Sequence, residues 1–181
     1  MSMAVLRPML ADDADSVAAL HATSWRSAYR GILSDDYLDH EVDADRQNVW
    51  RERLQGPAAG PAFGIVAEDA QGRMIGFAYV MLDHDPVWGT LVDNLHVHPD
   101  TKGGGIGRQL LQAVVRRLGP DHRQQPLFLW VLDANEPAKR FYARLGAEFT
   151  DQAMSTPFDG TAKPKWRCVW RDPSTLLDGH A

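Results

Sequence analysis

The stretch from Leu95 to Leu111 reads Leu-His-Val-His-Pro-Asp-Thr-Lys-Gly-Gly-Gly-Ile-Gly-Arg-Gln-Leu-Leu. It joins a strand-like segment, residues 88–98, to an apolar pattern of helical spacing over about 105–118. Glycines let backbone N–H groups approach a ligand without obstruction by Cβ, and a helix N-terminus supplies unpaired donors and a positive dipole end. The stretch therefore predicts a phosphate-binding loop; the alternative is a flexible turn that opens a helix.

Two common phosphate-binding motifs do not fit these glycines. A P-loop needs a Lys-Ser/Thr pair after its last glycine, and no such pair follows here. In the dinucleotide-binding pattern, the position that requires a third glycine or alanine falls on Leu110.

Outward from this loop, the pattern predicts the element order β-α-α-β-β-β-α-β-α-β-β within one domain, residues 1–181. This is an α/β fold with a mixed sheet flanked by helices. Alternation in strand 88–98 places four residues on each face: Leu91, Asp93, Leu95 and Val97 on one, and Val92, Asn94, His96 and His98 on the other. The other predicted segments are strands at 4–8, 63–68, 73–82, 127–132, 147–152 and 165–171, and helices at 12–30, 43–55 and 135–145.

Two signatures in this order resemble the GNAT superfamily of N-acetyltransferases. Lys102-Gly-Gly-Gly105-Ile-Gly107 is similar to its cofactor motif, Arg/Gln-x-x-Gly-x-Gly/Ala, with Lys102 in place of Arg or Gln. Residues 131–147 contain an Asn after a strand and then Phe-Tyr-x-x-Leu-Gly, which is similar to the second signature. Residues 24–34 resemble a bacterial subgroup whose acceptors are mostly unassigned.

The resemblance implies a mostly antiparallel sheet and transfer of an acetyl group from acetyl-CoA to a primary amine of a small molecule or peptide. It implies direct transfer in a ternary complex, with Tyr142 as the general acid beside the sulfur; Tyr142 could instead be a packing residue. The alternative function is a non-catalytic acyl-CoA sensor. The residues expected to bind acetyl-CoA are Leu95, His96, Val97, Lys102, Gly103, Gly104, Gly105, Ile106, Gly107, Arg108, Asn135 and Tyr142; Asn135 could equally be a helix N-cap.

The sequence signals for the general base and the acceptor pocket are less specific than the two signatures. His96 and Asp93 are the candidates for the base, against the alternative that both simply occupy a strand. Trp25 and Tyr29 would wall the acceptor pocket or belong to the core. The acidic run 35–45 is either a solvated face or an attractor of cationic amines.

Composition limits the other partners. A formal charge of −5 argues against nucleic acid, and no apolar stretch is long enough to span a membrane. The N-terminus lacks the pattern of a signal peptide, and the single cysteine, Cys168, fits a reducing compartment and a structural role, so the cytoplasm is expected. His96-x-His98 lacks a third metal ligand, so no metal is expected. A homodimer is left open.

Overall fold

The computed structural model describes residues 4–156 and 158–178, so the three N-terminal residues used in the signal-peptide argument lie outside it. Its strands form one sheet in the order β1-β2-β3-β4-β5-β7-β6, in which only the β4–β5 pair is parallel. The predicted mixed, mostly antiparallel sheet is confirmed. The strands are β1 (Val5–Pro8), β2 (Ala62–Glu68), β3 (Met74–Asp85), β4 (Gly89–Val97), β5 (Leu127–Leu132), β6 (Glu148–Met154) and β7 (Pro164–Trp170).

The helices fall near their predicted positions. They are α1 (Ala14–Ala28), α2 (Val42–Gln55), α3 (Ile106–Arg117), the short α4 (Pro120–Arg123) and α5 (Glu136–Arg144). A π-helical turn, Tyr37–Glu41, leads directly into α2. Short 3-10 turns lie at Ala11–Asp13, Pro99–Thr101 and Pro173–Leu177.

The side chains of the interior strand β3 pack against helices on both faces of the sheet. Ala78 and Val80 pack into the core beneath α3 and α5, whereas Phe77 and Tyr79 pack with α1 and α2. Because side chains alternate between the faces of a strand, α1 and α2 cover one face of the sheet and α3 and α5 the other.

Helix α3 follows from its sequence. Its buried side chains, Ile106, Leu110, Leu111, Val114 and Val115, recur at helical spacing and form one apolar face. The helix begins directly after the glycine loop, at Ile106, which is the first residue of the apolar face.

Helix α2 has a less usual buried face. Its buried residues are Val42, Arg46 and Trp50, each one helical turn after the last. A charged arginine therefore occupies the middle of a buried stripe, which is rare unless the charge is paired.

Strands β4 and β5 pair over only two positions, Thr90 with Leu127 and Leu91 with Phe128. Both strands then continue, β4 to Val97 and β5 to Leu132, without pairing to each other. The sheet therefore opens between them, and the facing edges present unpaired backbone groups.

A β-bulge in β4 lies next to this opening. Tyr79 pairs with Asn94 and Val80 with Val92, so Asp93 is an extra residue. The predicted alternation is wrong on this point, because the bulge shifts the phase after Val92. Leu91 lies on the same face as Asn94 and His96, and Val92 lies with Leu95 and Val97.

The start of β4 gives a test of how far the fold depends on its short pairing with β5. Gly89 has φ +71°, and a Cβ there would lie 2.5 Å from the carbonyl oxygen of Pro126. We expect Gly89→Ala to lower the free energy of unfolding by about 1–3 kcal/mol more than Gly72→Ala. Gly72 is the control because it has φ +76° and nothing within 4 Å. Denaturant unfolding measures the difference; equal losses would contradict the prediction.

Candidate active site

The opening between β4 and β5 forms a cleft of about 700 Å³, a volume typical of ligand sites. Gly103, Gly105 and Gly107 line it on the α3 side of the sheet, and Ser24 and Tyr29 of α1 line it on the other. The cleft therefore passes through the sheet from one face to the other.

The glycine loop has the geometry that a phosphate cradle needs. Gly103 and Gly105 have φ values of +85° and +76°, a region that side chains other than glycine rarely adopt. A Cβ at Gly107 would lie 3.0 Å from Cζ of Phe141. The first N–H groups of α3, from Ile106 onward, have no acceptor within the helix and can bind an anion.

Most residues expected to bind the coenzyme lie together around this cleft. Those lining it are Leu95, His96, Val97, Lys102, Gly103, Gly105, Ile106, Gly107, Arg108, Asn135 and Tyr142. Gly104 does not line it. They come from β4, the loop, α3 and α5. The fold therefore brings together residues that are up to 47 positions apart in the sequence, from Leu95 to Tyr142.

Asn135 caps a helix at the wall of the cleft. Its side-chain oxygen accepts a hydrogen bond from the N–H of Ala138 at 3.3 Å, so it caps α5. It is also buried at the cleft wall. The cap fixes the direction in which α5 presents its next turns.

Tyr142 lies on the inner face of α5. Its ring packs edge-on against Phe141 and Trp170, and 9% of the residue is exposed. Burial, followed by the nearby Tyr29 and Cys168, raises the pKa of its phenol. The hydroxyl therefore stays protonated and can act as a donor.

His96 faces α1 across the cleft. Its Nδ1 lies 3.0 Å from Oγ of Ser24, and its ring centroid lies 4.4 Å from that of His21. Burial, and then the charges of Arg46 and Lys102, lower its pKa to about 3. The imidazole is therefore neutral at physiological pH.

His21 is also kept neutral. It is fully buried, and its Nδ1 accepts a hydrogen bond from Nε1 of Trp50 at 2.9 Å. Because an indole N–H can only donate, the proton of His21 lies on Nε2. Burial lowers its pKa well below 6.5, so two adjacent imidazoles avoid mutual repulsion.

Asp93, the other candidate base, does not line the cleft. Its carboxylate pairs with Nη2 of Arg53 at 2.6 Å, and Nη1 of the same guanidinium donates to Oδ1 of Asn94 at 2.7 Å. Arg53 therefore ties α2 to the bulge of β4.

Of the two aromatic residues expected at the acceptor pocket, only Tyr29 lines the cleft. Trp25 is 5% exposed, and its ring lies under the guanidinium of Arg46 at 4.4 Å. Its ring also packs edge-on against Phe158 of the β6–β7 connection. Trp25 thus supports the pocket from behind.

The acidic run 35–45 is largely neutralised by arginines. Asp35 and Asp39 pair with Arg30, Asp43 pairs with Arg26, and Asp45 pairs with Arg46. Asp36 contacts His40. These contacts weaken the run as an attractor of cationic amines.

Cys168 is fully buried within β7. Burial raises the pKa of its thiol to about 12. Since the thiolate is the nucleophilic form, this environment suits a packing residue.

Sequence reasoning missed several wall residues of the cleft, including Ala28, Trp130, Pro137 and Arg144. They lie on α1, β5 and α5, and no local pattern sets them apart. Ser24 lies in the helix predicted at 12–30, but no motif marks it as a site residue. Its hydrogen bond to His96 joins residues 72 positions apart.

Comparison with known proteins decides the family. A model of the acetyltransferase (GNAT) family matches residues 16–147, which contain most of this cleft. The chain belongs to the GNAT family. It is an acetyl-CoA-dependent N-acetyltransferase, as the sequence signatures predicted.

Relatives of this GNAT chain align with it over different shares of their length. The uncharacterized N-acetyltransferase YuaI of Bacillus subtilis is 27% identical over 150 residues, 81% of each chain. A mycothiol acetyltransferase of Thermomonospora curvata is 32% identical over 121 residues, which cover 65% of this chain and 39% of that longer protein. The fold matches that of the PaiA N-acetyltransferase of Thermoplasma acidophilum, solved with coenzyme A, at a TM-score of 0.67 and 19% identity. That alignment covers 93% of this chain and 99% of the other.

No helix among residues 4–156 and 158–178 is long and apolar enough to cross a bilayer.

The neutral state of His96 predicts a pH effect on stability. In the unfolded chain a histidine binds a proton below about 6.5, whereas folded His96 does so only near 3. The free energy of unfolding is therefore not reduced by His96 above pH 6.5, and it falls as pH falls from 6.5 towards 3, because the unfolded chain then binds a proton that folded His96 does not. Between pH 7.5 and 5.5 the wild type should lose about 1.4 kcal/mol more unfolding free energy than His96→Gln. Parallel curves from denaturant titrations would contradict this.

The glycine loop predicts a second effect. Gly105→Ala and Gly72→Ala place alanine at the same φ, +76°, with no close neighbour, so both should lose about 1–2 kcal/mol of unfolding free energy. Only Gly105→Ala should weaken acetyl-CoA binding, by about 10-fold or more, since a charge-assisted hydrogen bond contributes about 1.5–3 kcal/mol. Calorimetric titration measures this; equal affinity of both variants would remove the loop from the coenzyme site.

Proposed function

We propose that this acetyltransferase binds acetyl-CoA with its pyrophosphate on the 103–107 loop and its pantetheine arm along β4 at Leu95 and Val97. The observation that carries the proposal is the cleft between β4 and β5, which is lined by the glycine loop, by Tyr142 and His96, and on the other face of the sheet by Ser24 and Tyr29. The residues present fit the coenzyme, because positive φ values and missing Cβ atoms leave the loop open to phosphate oxygens.

The unpaired edge of β4 supports the placement of the pantetheine arm. Its amide groups can pair with strand backbone in the way that an added strand does. Backbone N–H groups of the same edge would stabilise the oxyanion, since fixed dipoles aimed at developing charge are effective in a site with little water. Asn135 would contact the coenzyme while capping α5.

The acceptor end lies on the opposite face of the sheet. We assign Tyr29 to the wall of the acceptor pocket, supported by its place in the cleft, and Trp25 to its outer support. His96 would orient the acceptor amine by a hydrogen bond. Asp93 would hold Arg53 and so fix the bulge, because its carboxylate is paired and outside the cleft lining.

Direct transfer in a ternary complex is favoured over a covalent enzyme intermediate. Cys168 is buried, with a pKa raised to about 12. The acceptor is a primary amine of a small molecule or a peptide. A purely sensory function would not require a protonated phenol at the end of the cleft, and measurable turnover with any amine would exclude it.

Tyr142 is the residue that tests the chemistry. Tyr142→Phe keeps the ring packing against Phe141 and Trp170 but removes the donor, so single-turnover rates should fall by about 10²–10⁴, with acetyl-CoA affinity changed much less. Tyr79→Phe is the control, because Tyr79 is buried under α2 and does not line the cleft. A native single-turnover rate for Tyr142→Phe would make Tyr142 a packing residue.

A further inference from the structure

The charged side chains that line the cleft all carry positive charge: Lys102, Arg108 and Arg144. Among the described residues of the lining there is no aspartate or glutamate. The imidazole in the lining, His96, and its neighbour His21 are neutral. An ammonium ion entering the cleft would therefore meet no negative charge on its wall.

A further positive charge lies directly behind the acceptor end. Arg46 is 7% exposed and stacks on Trp25, one helical turn before Tyr29. After burial, its charge is the next influence that lowers the pKa of His96. It also acts on Tyr29, where it opposes the effect of burial. Arg46 is close enough to shift the protonation of both walls.

The carboxylates near this end are each bound to protein groups. Asp93 pairs with Arg53 at 2.6 Å, and Asp45 pairs with Arg46 at 2.9 Å. Asp159, on the β6–β7 connection, accepts the N–H groups of Ser34 and Thr161 and lies 3.6 Å from Lys163. On β7, Lys165 adds another cation, 4.3 Å above the Trp130 ring.

Titratable, charged and hydroxyl groups surround the acceptor end on every element packed against it. They are His21 and Ser24 on α1 and Tyr29 at its end, Asp45, Arg46 and Arg53 on α2, Asp93 and His96 on β4, Lys102 on the glycine loop, Tyr142 and Arg144 on α5, Asp159 and Lys163 on the β6–β7 connection, and Lys165 on β7. None combines a place in the cleft lining with a free carboxylate or a basic imidazole. Among the residues that the structure describes around this end, none would both hold an ammonium ion and accept its proton.

We propose, building on the coenzyme and acceptor sites proposed above, that the acceptor is an α-amine, next to a carbonyl carbon, and that polyamines and lysine side chains are poor acceptors. Nitrogen attacks only as the neutral amine. At pH 7.5 roughly one third of an α-amine is neutral, against roughly one in 10³ of a lysine-like amine. A cleft that cannot deprotonate its substrate selects the amine that arrives neutral.

The reaction balances without an enzymic base. The amine nitrogen forms the amide bond to the acetyl carbon as the carbon–sulfur bond breaks. The surplus proton of the nitrogen passes to water, and the thiolate takes the proton of Tyr142, which solvent then restores. No oxidant or additional reactant is required.

The test compares alaninamide, an α-amine, with n-propylamine, an alkyl amine of similar size, as acceptors for the full-length enzyme. At pH 7.5 kcat/KM for alaninamide should exceed that for n-propylamine by about 100-fold or more, the ratio of their neutral fractions. Across pH 6.5–10, kcat/KM for alaninamide should level off near 8, whereas that for n-propylamine should still be rising at 10. Two profiles that bend at one shared pH would reveal an enzymic base and overturn the proposal.

Variants of His96, in β4, and of His98, just after β4, separate an enzymic base from the amine itself as the cause of the bend. His96→Gln should leave the bend of the alaninamide profile near 8, even if its rate changes, and so should His98→Gln, whose side chain lies outside the lining. Loss of the bend in His96→Gln alone would identify His96 as the base and overturn the proposal. The wild-type comparison still decides if either variant fails to fold.

Failure of the proposed function would look different. If Gly105→Ala binds acetyl-CoA as tightly as the wild type and Tyr142→Phe keeps the native single-turnover rate, the proposed coenzyme and acid sites fail, whichever amine is preferred. If n-propylamine is acetylated as fast as alaninamide at pH 7.5, acetyl transfer stands and only the α-amine proposal is overturned.

Discussion

The structure depends on a strand pairing that stops early. Strands β4 and β5 are joined at two residue pairs and then separate, so one sheet holds a cleft without needing a second domain. The pairing is adjacent to Gly89, where a Cβ would lie 2.5 Å from the carbonyl oxygen of Pro126, and to the bulge at Asp93, after which the side chains of β4 change faces. Unpaired strand edges usually invite aggregation; here they face each other across a cleft sized for a ligand.

The second organising feature is how the protein manages charge beside that cleft. Buried ionisable groups are costly unless paired, and α2 places Arg46 and Arg53 next to the site, each with a carboxylate partner. Arg46 lies on Trp25, and Arg53 holds the bulge through Asp93 and Asn94. The two histidines are neutral as a result of burial, so the acceptor end contains polar groups without a proton acceptor of ordinary basicity.

Local sequence rules predicted the parts of the site that are formed by local structure. Gly103 and Gly105 have positive φ values, Asn135 caps a helix, and the α3 stripe repeats at helical spacing. Each could therefore be located from its neighbours in the chain. The bulge could not be found this way, because strict alternation was the assumption that it breaks. Nor could the surroundings of His96, since Ser24, His21 and Arg46 reach it only through packing of α1 and α2 on the sheet. Asp93 resembled a base in sequence because its arginine partner is 40 positions away.

Because the cleft passes through the sheet, substitutions that change the acceptor mouth can occur separately from substitutions that change the coenzyme mouth. The glycine loop, α3 and α5 form one mouth, and α1 forms the other, with α2 and the β6–β7 connection packed behind it through Trp25. Substitutions that reshape the second mouth leave the backbone geometry of the first untouched, since the two are built from different elements on opposite faces. A lineage can therefore exchange one acceptor for another while retaining the same donor, and duplicated copies of such a gene can diverge in specificity without a loss of the shared chemistry.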